Sequence, residues 1–101
     1  MAKLGTKWTD TELRACVDEY ASAVKAGGLH TFIEKDSYLT SALKNGLEDR
    51  GAGAVGRRMS NISAVLDEKG KPYVLGWKPL RNVGSGVTKR LQRMLQDHGL
   101  V

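Results

Sequence analysis

Arg57, Arg58 and Asn61 stand within five positions of one another in a stretch with helical periodicity. Arg and Asn are the side chains whose donors and acceptors match guanine and adenine edges in a major groove, and Arg also clamps phosphate. Val55, Met59, Ile62 and Leu66 recur at helical spacing through the same stretch and predict one buried stripe. A helix buried on that stripe turns Arg57, Arg58 and Asn61 elsewhere, as a surface for nucleic acid. The plainer reading of the same residues is a solvated helix face, with Asn61 bonding to the following loop.

A second basic group follows. Gly84-Ser85-Gly86 stands at the predicted start of a helix, flanked by Lys78, Arg81, Lys89 and Arg90. Free backbone N–H groups and the positive end of the helix dipole suit a phosphate there, and Ser85 adds a hydroxyl. Tyr73 and Trp77 interleave with this loop. Aromatics beside Arg and Lys can stack on a base or touch a base methyl group. Against that stands the need of a small domain for aromatics in its core. Trp8, Tyr20 and Phe32 are assigned to the core.

Catalytic chemistry finds no footing. His30 and His98 stand alone, Cys16 is the only cysteine, and neither a phosphate-binding loop nor a dinucleotide fingerprint is present. Asp18-Glu19, Glu48-Asp49 and Asp67-Glu68 are neighbours in sequence, which point apart on a helix. The expectation is no enzyme, no catalytic residue, no cofactor and no metal.

The 101 residues suit one domain, 1–101. The net charge of +5 is unevenly placed: seven Lys/Arg meet eight Asp/Glu in residues 1–50, whereas nine meet three in residues 51–101. A segregated basic half fits a polyanionic partner. No signal peptide and no membrane-spanning run is visible. The expected location is cytoplasmic and nucleoid-associated.

The elements that must position these residues read as follows. Thr9 and Glu12 form a capping box, with Trp8 stapling onto Leu13. Leu13, Cys16, Val17, Tyr20, Ala21 and Val24 continue a first helix over 10–26, closed by Gly27-Gly28. A loop carries Phe32 and Ile33 inward. Asp36 or Ser37 caps a second helix with Tyr38, Leu39, Ala42 and Leu43, stopped by Asn45-Gly46. The third runs from about 53 to about 67. After a Lys69-Gly70-Lys71-Pro72 turn, Tyr73-Val74-Leu75 is a short β-like run. Ser85 caps a last helix with Val87, Leu91, Met94 and Leu95 on one face, closed by Gly99. The fold class is mostly α: a four-helix, helix-turn-helix-like small domain with a loop or short β-hairpin between helices three and four.

The order of motifs resembles a known family. Trp8-Thr9-x-x-Glu12-Leu13-x-x-x-Val17-x-x-Tyr20 comes first, then Lys35 and Leu43. Arg58-Met59-x-Asn61-Ile62-Ser63-Ala64-Val65-Leu66, Gly76-Trp77-Lys78-Pro79 and Asn82-Val83-Gly84 follow. This resembles the small N-terminal domain of bacterial HNH endonucleases, including modification-dependent restriction enzymes, over roughly residues 8–95. The resemblance implies DNA binding biased toward modified bases such as 5-methylcytosine, with Asn82 joining the contact residues. It does not imply cleavage.

The leading expectation is therefore a sequence-tolerant binder of double-stranded DNA, favouring methylated cytosine. Arg57, Arg58 and Asn61 approach the groove, while Lys78, Arg81, Ser85, Lys89 and Arg90 hold phosphates. Tyr73 and Trp77 sense the base. Neutralising about five phosphates predicts a log–log salt slope of about −4 to −5. The alternative is a protein-interaction adaptor or homodimerising module using the same basic face.

Overall fold

Thr9 and Glu12 open the first helix by satisfying each other's backbone amides. The Glu12 N–H donates to Thr9 Oγ1 at 3.2 Å, and the Thr9 N–H donates to Glu12 Oε1 at 2.9 Å. The expected capping box is present. In the computed structural model, which describes residues 7–81 and 84–101, four helices follow. They are α1 (Asp10–Lys25), α2 (Lys35–Ala42), α3 (Ala52–Glu68) and α4 (Ser85–Asp97). A π-helical turn, Leu43–Leu47, extends α2 until Asn45 and Gly46 leave helical geometry.

Helix ends follow local chemistry. Gly27, at φ +92°, takes the left-handed position after α1. The Gly28 N–H donates to Ala23 O at 2.9 Å and the Gly27 N–H to Val24 O at 3.0 Å, a Schellman closure. Two caps differ from expectation. Glu34, not Asp36 or Ser37, occupies the N-cap of α2, and Gly84, not Ser85, that of α4; neither makes a side-chain cap bond.

The core gathers the expected stripes. Leu13, Cys16, Val17 and Tyr20 of α1 meet Val55, Met59, Ile62 and Leu66 of α3 and Leu91, Met94 and Leu95 of α4. Three polar contacts run along the α1–α4 seam: Asp10 with Arg90, Arg14 with Asp97, and Asp18 with His98. Burial pushes the Cys16 thiol and the Tyr20 phenol each up to about 12. The unfolded chain releases these protons at lower pH than the folded one. Stability is thus retained below pH 9 and falls as pH rises toward 12. Cys16 is expected to resist thiol-reactive dye at pH 8 and to react at the rate of unfolding, read by stopped-flow labelling with and without denaturant. Rapid labelling of the folded protein would contradict this burial.

Three expectations are corrected. The 72–81 segment forms no hairpin; no strand occurs among the described residues, because Pro72, Gly76 and Pro79 deny it a ladder. Phe32 is not in the core but 79% exposed. Nor does α3 keep one open face along its whole length. Its residues 61–66 are all buried, and six consecutive positions sweep more than a full turn, so that half is enclosed on every side.

The irregular 72–81 segment is held by side chains and single backbone bonds. The Val74 N–H donates to the buried Tyr20 hydroxyl at 2.8 Å, which shares a 2.7 Å hydrogen bond with Ser63. The Leu75 N–H donates to Gly28 O at 2.9 Å. A Cβ on Gly28 would meet Ala23 O at 2.8 Å, so only glycine admits this approach.

Candidate functional site

Between the start of α2, the first half of α3 and the 75–80 turn lies a groove enclosing about 600 Å³. The positions of α3 that face it, Gly53, Gly56, Arg57 and Ser60, follow helical spacing. They are the part of α3 that the core leaves open. Lys35 and Asp36 border it from α2, and Lys78 from the turn. Gly76 lets the Lys35 stem cross the turn: a Cβ there would stand 3.1 Å from Lys35 Cγ and Cδ. Lys35, Arg57 and Lys78 are exposed and make no ion pair among the described residues. They face a single carboxylate, Asp36, so the groove is locally cationic.

Most other expected contact residues serve the framework. Arg58 is half-buried. Its guanidinium lies 4.6 Å from the Trp8 ring centroid and donates to Asn61 Oδ1 at 3.0 Å. Its Nε is buried without a partner, and burial lowers its pKa. Asn61, 6% exposed, donates through Nδ2 to Leu80 O at 2.7 Å. It therefore pins the 72–81 segment to α3 and has no edge left for a base. The plainer reading of Asn61 is the one realised.

Trp77 is 3% exposed. It stacks on Tyr20 at 5.5 Å between centroids and meets Tyr38 edge-on at 6.3 Å. Tyr73 is half-buried against the core. Trp77 cannot stack on a base without leaving the core, because both its neighbours are the rings that hold it. Arg81 is exposed but pairs with Asp67 and with Glu68, the latter at 3.5 Å. Two carboxylates thus engage its guanidinium. Arg90 donates to Asp10 Oδ1 at 2.6 Å and to Trp8 O at 2.8 Å, fastening α4 to the start of α1.

Lys89 is exposed with Arg93 on the outer face of α4, where Gln92 and Gln96 complete a shallow depression. Ser85 opens α4 through its backbone, and its side chain is not described; Asn82 lies outside the described residues. Of the proposed contact set, the structure thus brings Arg57 and Lys78 together on the groove, with the buried Trp77 in its wall, and leaves Lys89 elsewhere on α4. Lys35 is the cation the contact set omits. Its sequence signals are a place in the motif order and a place after a loop, neither of which carries a direction.

Compared with protein-family models, curated proteins and solved structures, the chain matches none of them.

The buried half of α3 has a further consequence. Met59, Asn61, Ile62, Ser63, Val65 and Leu66 are the distinctive part of the motif order, and all are core or framework. That block packs the helices against one another. A second buried feature organises the opposite end. Arg50 Nε and Nη2 donate to Glu12 Oε2 and Oε1 at 2.9 and 2.8 Å, and Nη2 also reaches Lys7 O at 2.9 Å. Its guanidinium lies 4.5 Å from the Trp8 ring centroid, so Arg50 and Arg58 both rest on that ring.

Proposed function

We propose that the protein binds double-stranded DNA in a sequence-tolerant way, with Lys35, Arg57 and Lys78 of the groove taking backbone phosphates. The observation that carries this reading is their shared lip and, among the described residues, their freedom from ion pairs, while Arg14, Arg81 and Arg90 are engaged by carboxylates. The uneven charge of the chain and the likeness of its motif order to a DNA-associated domain support it as well. Phosphate contacts position a protein on a duplex without reading its sequence. With Trp77 in the core and Asn61 bonded to Leu80, Arg57 is the exposed side chain among the described residues of the expected set that remains for base readout.

Three phosphates, rather than five, predict a log–log salt slope of about −3 on B-form DNA. Replacing both Arg57 and Lys78 with alanine should flatten that slope by about two and weaken binding while leaving the melting temperature unchanged. Arg81→Ala should do neither. Mobility shifts at several salt concentrations measure this directly. Unmodified and cytosine-methylated duplexes should bind alike, since phosphates are common to both. A slope near zero, or an equal loss from Arg81→Ala, would remove DNA from the reading.

A further inference from the structure

Phe32, Leu75 and Leu80 are the large hydrophobic side chains left exposed among the described residues, and all three open onto the same groove. Scattered singly, such residues need no account; gathered on one concave surface, they mark an interaction site. Phosphates would satisfy the cations and leave this apolar floor wet. From the combination we infer that the groove docks a short amphipathic segment of a partner protein, with large apolar side chains on one face and Asp or Glu beside them.

Charge complementarity identifies that occupant. Lys35, Arg57 and Lys78 stand around this apolar surface, with Asp36 the sole carboxylate among the described residues that line it. A neutral apolar segment would strand those cations, and a basic one would be repelled; an acidic amphipathic segment satisfies both parts of the surface. The helix face beneath permits close approach, because a Cβ built on Gly56 meets nothing within 4 Å. The arrangement is that of an amphipathic helix laid in a groove, in which apolar anchors supply affinity and flanking charges supply orientation. The segment uses the cations assigned above to phosphate, so it competes with DNA. It does not require that DNA bind at all.

The test selects binders for the full chain from a displayed library of random 14-residue peptides. Their affinities are then measured by fluorescence polarisation. Enriched peptides should combine two or more large apolar residues with Asp or Glu. Phe32→Ser should weaken them at least tenfold, the loss expected from leaving one aromatic anchor unburied. Since Phe32 is 79% exposed, this variant should melt with the wild type. Arg57→Glu should weaken them by a similar factor, and duplex DNA should displace them. No enrichment, enrichment of peptides lacking acidic residues, or binding indifferent to both variants overturns the inference. DNA binding that persists while peptides fail leaves the proposed function standing. Peptide binding without DNA binding removes that function and keeps the docking groove.

Discussion

Arg50→Ala is expected to cost about 3–5 kcal/mol of stability, the usual penalty for breaking a buried ion pair by removing one partner. Whole domains are stable by only about 5–15 kcal/mol, so this single change approaches the limit. The reason lies in the geometry around Glu12. Its carboxylate accepts two hydrogen bonds from Arg50 while it caps α1, and both side chains are almost fully buried. Alanine strips a buried carboxylate of its guanidinium and removes the cation from the Trp8 ring. Urea denaturation should show the midpoint lowered by about 2 M, taking a slope of roughly 2 kcal/mol/M. The double variant Glu12→Gln, Arg50→Met removes both charges and keeps a capping acceptor. It should be more stable than Arg50→Ala, because a buried Glu12 charge deprived of Arg50, rather than the lost pair, dominates the cost. A single-variant loss below about 1 kcal/mol, the value of an exposed pair, would contradict this account.

Trp77→Ala should rank beside it, with a loss of about 3–5 kcal/mol from the cavity left by a buried aromatic. Stacking on Tyr20 and the edge contact with Tyr38 add to the ring's transfer energy. The variant also separates two roles for the residue. A tryptophan that stacks on a base would lose DNA affinity on replacement even in fully folded protein. Here the folded fraction of Trp77→Phe, which keeps an aromatic ring, should bind DNA within about twofold of wild type while unfolding at lower urea. Circular dichroism and the mobility shift, run on the same preparation, distinguish the outcomes. Unchanged stability with lowered affinity would place Trp77 in a binding site after all.

Both predictions depend on residues whose types are polar or amphipathic, and these are the residues whose placement the linear chain left open. Arg58 and Asn61 are as compatible with a DNA surface as with a framework, and Trp77, though its type favours the core, is compatible with both. Asn61 lies next to a core position, Ile62, and periodicity places it near the edge of the buried stripe. Whether an edge position meets water or protein depends on what packs there. The 72–81 segment does so, through the bond from Asn61 to Leu80. Phe32 failed in the other direction. Hydrophobicity argued for burial, but its loop runs past the groove instead of under it.

The sequence by itself determined the helices, their approximate ends and the stripes that meet in the core. Those features arise from spacing along one helix and from caps that bond within four residues, so neighbours in the chain suffice to specify them. The capping box of Thr9 and Glu12, the glycine closure at Gly27 and the stripe from Val55 to Leu66 are of this kind. Only the tertiary structure decided which arginines are engaged and which stand in water. Arg50 meets a carboxylate 38 positions away and Arg90 one 80 positions away, whereas Arg57, Lys35 and Lys78 meet none among the described residues. A long charged side chain takes whichever partner packing brings within reach, and that distance is set by how all the helices assemble.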